Sequence, residues 1–250
     1  MSGHSKWASI KHKKGALDAK RGKLFTKLIR EITVAAREGG GDPEANPRLR
    51  LAVQKAKDAN MPSDNIDRGI KKGTGELEGA TYENVSFEGY ALGGVAIIVE
   101  GLTDNRNRTT SEVRSIFTKR GGNMAGEGSV AFQFERKGVF TVKKSDANEE
   151  ELMEIALDAG AEDFTSEDDF FQIICAPQDF DKVRSGMVAK GVKIESGELS
   201  QEPKNTIKID DPDTARKILA LVDDLEDNDD VQNVYANFDI PDEILKEVEE

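Results

Sequence analysis

The chain is poor in the residues from which disulfides, metal centres and catalytic sites are most often built. It has one cysteine, Cys175, which excludes an intramolecular disulfide and a cysteine-based metal framework. Its two histidines, His4 and His12, lie in an initial segment without hydrophobic periodicity, where a preorganised catalytic group is not expected. The sequence therefore predicts a protein that is not an enzyme, that takes no small-molecule substrate, and that uses no cofactor or metal.

Long apolar runs are also lacking. The longest, Val95 to Val99, is far too short to cross a bilayer. The N-terminal residues are charged and have no apolar core of the kind found in a secretory signal. We therefore expect a cytoplasmic protein with no membrane partner.

Acidic residues are scarce in one part of an otherwise acidic chain. The first thirty residues contain nine Lys or Arg and a single acid, Asp18. Up to Gly75 there are 17 basic and 8 acidic residues, whereas the remainder has 18 basic and 40 acidic residues. A basic block on an acidic body is typical of a protein that binds a polyanion through one region only.

The basic block contains most of the candidate nucleic-acid contacts. Four cations from Lys20 to Arg30 follow one another at spacings of three, four and three, which places them along one line of a helix, where they can meet successive phosphates. The alternative is an ordinary solvated lysine face. The candidates in this block are Lys6, Lys11, His12, Lys13, Lys14, Lys20, Arg21, Lys23, Lys27, Arg30, Arg48 and Arg50.

A second candidate contact is the segment from Asp104 to Thr109, between a predicted strand and a predicted helix. Arg106, Asn107 and Arg108 would present two guanidiniums and free helix N–H groups to a phosphate. The same residues are equally suited to helix capping, with the arginines held by Asp104 and neighbouring acids. We favour the contact and keep the structural turn as the alternative.

Hydrophobic periodicity predicts three amphipathic helices in about the first 75 residues, followed by mixed strands and helices. Residues 137–203 have the order β-α-β-β-α-β, which is typical of a ferredoxin-like module. The fold class predicted is α+β, an N-terminal three-helix domain followed by two ferredoxin-like α/β domains, the last inserted into the middle one. The expected domains are residues 1–78, 79–136 with 204–240, and 137–203, with an acidic tail at 241–250. The elements predicted include strands at Val130–Phe134 and Val192–Ser196 and a helix at Thr109–Arg120.

Several blocks of the sequence resemble those of the YebC family. They are Met1–Trp7, Ile10–Lys14, Asp18–Lys23, Gly39–Pro43 with Asn46–Arg50, Glu88–Tyr90 and Thr103–Thr109. The resemblance extends over essentially the whole chain. It implies a three-domain protein with no enzymatic activity.

The resemblance also implies a function, for which two hypotheses remain. Members of the family are usually described as DNA-binding transcriptional regulators. Similar proteins, including mitochondrial translational activators, act on the ribosome, where bacterial relatives aid synthesis through proline-rich stretches. The residues themselves indicate only a polyanion, because no helix has Asn, Gln and Arg arranged to contact base edges. The expected partner is therefore DNA, or ribosomal RNA on the ribosome.

Overall fold

The structure, a computed structural model, describes residues 17–167 and 169–249 and begins with helices that are followed by α/β units. Its helices are α1 (Leu17–Gly39), α2 (Pro47–Asp58), α3 (Ser63–Thr74), α4 (Arg106–Lys119), α5 (Glu149–Ala159), α6 (Phe180–Ala189), α7 (Pro212–Asp227) and α8 (Asp242–Glu249). Its strands are β1 (Glu83–Tyr90), β2 (Ala96–Thr103), β3 (Asn123–Ala125), β4 (Phe134–Lys143), β5 (Asp163–Ser166), β6 (Phe170–Cys175), β7 (Ser196–Pro203), β8 (Ile207–Lys208), β9 (Val231–Ala236) and β10 (Phe238–Asp239). The predicted fold class is confirmed.

The three N-terminal helices pack around a small apolar core that includes Ile32, Leu49 and Ile66. Asn46 caps the start of α2, because its side-chain oxygen accepts a hydrogen bond from the backbone N–H of Leu49. Its amide group donates to carbonyl oxygens at the end of α1 and just beyond it. One buried side chain therefore fixes the turn between the two helices.

Strands β1, β2, β3 and β9 form an antiparallel sheet in the order β3-β1-β2-β9. The chain enters this sheet through the β1–β2 hairpin, and α4 and α7 supply Phe117 and Leu221 to its core. In the segment predicted as an acidic tail, the chain forms α8, and Leu245 of this helix is buried in the same core.

Residues Phe134–Lys204 form a separate compact unit. Its antiparallel sheet has the order β5-β6-β4-β7, with α5 after β4 and α6 after β6. This strand order and the sequence β-α-β-β-α-β together define a ferredoxin-like fold. The remaining described residues belong to the second unit. Their predicted division into a helical and a middle domain stays a prediction.

Three predicted elements are wrong in position. The Val130–Phe134 strand is absent, because the Val130 N–H donates to a carboxylate of β1 and a short 3₁₀ turn follows before β4 begins at Phe134. The last strand of the inserted unit is Ser196–Pro203 rather than Val192–Ser196, because the Val192 N–H still bonds the end of α6. Helix α4 begins three residues earlier than Thr109, because Asn105 caps it.

Candidate nucleic-acid interface

Helix α1 is held against α3 by an unusually close approach of the two backbones. A Cβ atom added at Gly73 would lie 2.4 Å from the carbonyl oxygen of Thr33, so only glycine allows this crossing. Gly69 similarly faces Ile32. This packing fixes the rotation of α1 and therefore the direction of its charged face.

That face meets the end of α7 in the same unit. Lys23 Nζ lies 3.2 Å from a carboxylate oxygen of Asp227, and Lys27 Nζ donates to the carbonyl oxygen of Glu226 at 2.7 Å. Arg30 Nη1 donates to the carbonyl of Asp229 at 2.5 Å and to the carboxylate of Asp230 at 2.8 Å. We call residues 226–230 the acidic cap. Cations favour a helix C-terminus, where carbonyl groups are left without intrahelical partners.

Asp230 is the centre of this cluster. Asp230 is buried, with 4% of its surface exposed, and its carboxylate accepts hydrogen bonds from four side chains. One oxygen accepts from Arg30. The other accepts from Arg108, Thr109 and Thr103, at 2.6, 2.6 and 3.1 Å respectively. Burial alone would raise the pKa of this carboxyl. The hydrogen bonds from the two threonine hydroxyls and the Arg108 guanidinium outweigh burial and lower the pKa below its ordinary value.

The segment from Asp104 to Thr109 has the capping role considered from the sequence, and its role as a phosphate contact stays a prediction. Asn105 is the cap of α4 and accepts from the Arg108 N–H at 3.1 Å. Arg108 donates to Asp104 at 2.9 Å as well as to Asp230, and these carboxylates raise its pKa. Arg106 is 58% exposed, with a carboxylate oxygen of Glu83 at 3.8 Å. The structure therefore gives Arg108 structural partners and leaves Arg106 on the surface.

Arg48 and Arg50 contact the same chain. Arg48 forms ion pairs with Glu31 and Glu38 on α1, at 2.8 and 2.5 Å, and donates to Asn84. Arg50 donates to two backbone carbonyls of the turn before α2. Both side chains stabilise local structure, so a phosphate would have to replace the carboxylates that bind Arg48 or the carbonyl groups that bind Arg50.

The other predicted contacts fall at the start of the chain. Lys20 and Arg21 lie in α1, but their side chains are outside the described residues. The whole of the remaining set also lies outside the described residues: Lys6, Lys11, His12, Lys13 and Lys14. Their assignment as nucleic-acid contacts stays a prediction, as it does for the α1 cations.

Exposed cations that were not selected from the sequence lie on several helices, among them α2, α3 and α4. Lys57 lies at the end of α2, and Arg68 and Lys71 lie on α3. Arg114 and Lys119 lie on the outer side of α4. Their helical spacing marks them as outward-facing, but the sequence alone does not distinguish them from paired cations such as Arg120, which binds Asp224 at 2.7 Å.

The Glu88–Tyr90 block has a structural role. The buried Glu88 carboxylate accepts from the backbone N–H groups of Gly128, Val130 and Ala131, at 2.7, 2.6 and 2.9 Å. Burial opposes this charge, but the three hydrogen bonds lower the pKa of the carboxyl. The Tyr90 hydroxyl donates to the carbonyl of Ser129. The block therefore holds the loop between β3 and β4.

Cys175 is fully buried in β6, as its apolar neighbours predict, and burial raises the pKa of its thiol to about 11. A thiol in this state is not a nucleophile near neutral pH. Among the described residues, no group of three or more His, Cys, Asp or Glu side chains has the arrangement of a metal site. In residues 17–167 and 169–249, no helix combines the length and apolar character that spanning a membrane requires.

The whole architecture is found in a solved structure. The chain superposes on the crystal structure of a conserved hypothetical protein from Aquifex aeolicus with a TM-score of 0.89 and 53% identity, covering 96% of this chain and 99% of that one. The two proteins therefore share one fold, in which an N-terminal helical region is followed along the chain by sheet domains.

Two family models and many curated relatives match the sequence. The TACO1/YebC N-terminal domain matches residues 5–76, and the TACO1/YebC second and third domains match residues 82–238. The chain belongs to this family, as its motifs predicted. It is 61% identical to a probable transcriptional regulatory protein of Rubrobacter xylanophilus, over 99% of both chains. It is 56% identical to one of Halothermothrix orenii, over 100% of both chains.

Proposed function

We propose that the protein is a nucleic-acid-binding regulator of gene expression that binds the phosphate backbone through its basic N-terminal segment. The observation that carries this proposal is the charge division, with 17 basic and 8 acidic residues up to Gly75 against 18 basic and 40 acidic residues after it. Binding by counterion release needs only such a cluster of cations and does not depend on base sequence. The names of the relatives support a regulatory role in transcription.

The contacts of α1 change which residues are expected to dominate. Lys23, Lys27 and Arg30 already interact with the acidic cap, so nucleic acid gains less from them than from cations without such partners. The contact therefore depends mainly on the residues before α1, above all Lys11, Lys13 and Lys14. Because Lys23, Lys27 and Arg30 face their own chain, we do not expect this part of α1 to act as a recognition helix in a DNA groove.

This last point favours a second candidate function, binding to ribosomal RNA as a translation factor. A protein without a base-reading helix binds by backbone charge and shape, which suits structured RNA as well as duplex DNA. We keep DNA as the first target because the relatives are named as transcriptional regulators, and the ribosome as the alternative.

The test is to replace Lys11, Lys13 and Lys14 together by glutamine. Binding to duplex DNA, ribosomal RNA and whole ribosomes is measured over a range of salt concentrations. Loss of three phosphate contacts should flatten the plot of log K against log salt by about two to three units on DNA. The target bound more tightly near physiological salt distinguishes the two candidates.

The matched control removes three lysines from exposed positions in the acidic part of the chain, Lys182, Lys190 and Lys246. Both triple variants change the net charge equally, so only the position of the charges differs. An equal effect of the two variants would refute the N-terminal location. Absence of salt-dependent binding to all three targets would refute the function itself.

A further inference from the structure

The outer side of α4 is a cationic and hydroxyl-rich surface in the acidic part of the chain. We call it the α4 face. All of its side chains are exposed, and five of them line a shallow open depression. The α4 face consists of Asn107, Ser111, Arg114, Ser115, Thr118 and Lys119.

Charge is unevenly distributed on this helix. Within α4 there are four basic residues and one acid, whereas acids outnumber basic residues about two to one after Gly75. The single acid, Glu112, is turned to other partners, because its carboxylate accepts from Asn228 at 2.8 Å and lies 3.8 Å from Arg108. The α4 face itself therefore has two cations and no acid.

The cations of α4 fall into two sets with different surroundings. Arg108 is held by Asp104 and the buried Asp230. The guanidinium of Arg114, by contrast, makes no ion pair within the part of the chain that the structure describes. Lys119 lies near Asp224, but that carboxylate is already held by Arg120 at 2.7 and 3.0 Å. Arg114 and Lys119 are thus charges on α4 that an external anion can reach, as is the exposed Arg106 at the start of the helix.

The hydroxyl groups extend this surface along the helix. Ser111 and Thr118 donate to the carbonyls of Asn107 and Arg114, one turn earlier, and rotation of the side chain can redirect either hydroxyl to an anion. From Asn107 to Lys119 the stripe is about 18 Å long, at 1.5 Å per residue. This length matches several successive phosphates rather than one small anion.

The α4 face lacks the features of a protein-binding surface. Protein interfaces are centred on aromatic and apolar side chains. The apolar residues of α4 point inward instead, because Val113 and Phe117 are buried and Ile116 packs on the core. Guanidinium, ammonium and hydroxyl groups without an apolar centre are the groups that proteins use for the phosphates of nucleic acids.

We propose that the α4 face binds the phosphate backbone of the same nucleic acid that the basic N-terminal segment binds, as a second contact remote from that segment in sequence. This inference rests on the proposed function. It adds Ser115, Arg114 and Lys119 to the interface and predicts that the middle of the chain, although acidic overall, takes part in binding.

The first experiment compares the wild type with a double variant of the full chain that carries both Arg114→Gln and Lys119→Gln. The salt dependence on duplex DNA should flatten by about two units, and binding should weaken on the order of tenfold or more in 0.1 M salt. The double control variant Lys182→Gln with Lys190→Gln removes the same charge from exposed positions of the inserted unit and should leave the slope unchanged. All four positions are exposed, so thermal melting should remain as in the wild type.

A second experiment locates the contact without changing charge. Ser115→Cys introduces an exposed thiol, whereas the natural Cys175 is fully buried with a thiol pKa raised to about 11. A maleimide should therefore label one site, and saturating DNA or ribosomal RNA should slow that labelling several-fold. Vesicles containing an anionic lipid serve as a further polyanionic surface.

The outcomes separate the two proposals. One outcome would refute the proposed contact at the α4 face and leave the proposed function standing. In that outcome the triple glutamine variant of Lys11, Lys13 and Lys14 loses binding, but the α4 double variant keeps the wild-type salt slope. The thiol introduced at position 115 also stays reactive when nucleic acid is bound. Protection by anionic vesicles but not by nucleic acid also refutes the contact. If the wild type binds neither DNA nor RNA, both proposals fail.

Discussion

Replacing Asp230 by asparagine removes the charge on which the cluster between α1, α4 and the acidic cap depends. The Asp230 side chain is 5% exposed and faces Arg30, which is 16% exposed, and Arg108, which is 44% exposed. After the change, Arg30 keeps the carbonyl of Asp229 and the ring of Tyr82, whose centroid lies 5.3 Å from the guanidinium carbon. Neither of these replaces the carboxylate charge.

The size of the effect follows from the burial of the partners. Breaking a fully buried ion pair by removing one partner costs about 3–5 kcal/mol, because a charge is left buried and unpaired. Arg108 regains water, and the asparagine oxygen still accepts a hydrogen bond, so the expected loss is about 2–4 kcal/mol. For a chain of this size that corresponds to a fall in the melting midpoint of roughly 5–15 °C.

The effect should depend on pH. The folded-state pKa of Asp230 is lowered from 3.8, so its contribution to stability is complete above the unfolded value and disappears as the pH falls through the lower folded value. The difference between wild type and variant should thus be constant from about pH 8 to pH 5 and shrink only below about pH 4.

The matched control is Asp229→Asn, because Asp229 is exposed and contacts Arg30 through its backbone carbonyl, which the substitution retains. Thermal and urea denaturation of both variants, followed by circular dichroism at several pH values, give the comparison. A loss below about 0.5 kcal/mol for Asp230→Asn, the range of an ordinary surface change, would show that the cluster does not hold the structure together. Equal losses in the two variants would assign the effect to net charge alone.

Two further predictions concern positions where the packing leaves no alternative residue. Glu88→Gln should destabilise the protein by roughly 2–3 kcal/mol in urea denaturation, because the amide group accepts fewer of the three backbone N–H bonds than the carboxylate does. Glu127→Gln, at an exposed position in the loop that Glu88 binds, should be neutral. Since the pKa of Glu88 is lowered, this loss should fade as the solution is acidified below about pH 4. Gly73→Ala should cost about 1–3 kcal/mol by forcing α1 and α3 apart, although alanine is the better helix former. Gly22→Ala should be neutral or slightly stabilising in the same urea denaturation, because the space around its Cβ position is open. An equal effect at both glycines would contradict the argument that α1 and α3 cross too closely for a side chain at Gly73.

The sequence predicts the helices of this protein well because their ends are set by local chemistry. Asn46, Asn148 and Asp211 each cap a helix through a side-chain oxygen, and Gly75 and Gly160 end helices in the left-handed conformation. These signals need no knowledge of distant residues. Helix α5, for example, begins at Glu149, directly after its cap Asn148, and ends at Ala159, directly before Gly160.

Strand β7 was misplaced because its stability is not local. The residues of Ser196–Pro203 are mostly polar, and the strand exists because it pairs along its whole length with β4, from Ser196 opposite Thr141 to Pro203 opposite Phe134. Composition instead favours a strand that begins at the more apolar Val192. Strand tendency depends on such cross-strand neighbours more than on composition.

The candidate site shows the same limit. Spacing correctly places Lys23, Lys27 and Arg30 on one side of α1, but their partners lie about 200 positions later, at Asp227 to Asp230. No local pattern reveals such a pairing. Whether a cation is available to an external phosphate is therefore a property of the fold.

The separation of these partners along the chain has a consequence for biosynthesis. Arg30 is translated 200 residues before Asp230, which at 5–20 residues per second is about 10–40 seconds. Throughout that interval the nascent α1 has its polar side uncovered. Strand β2 likewise waits for β9, which is made only after the inserted unit is complete. The N-terminal helices thus reach their final position only when the last fifth of the polypeptide has been made, and a truncated chain that ends before the acidic cap would leave three cations without their partners.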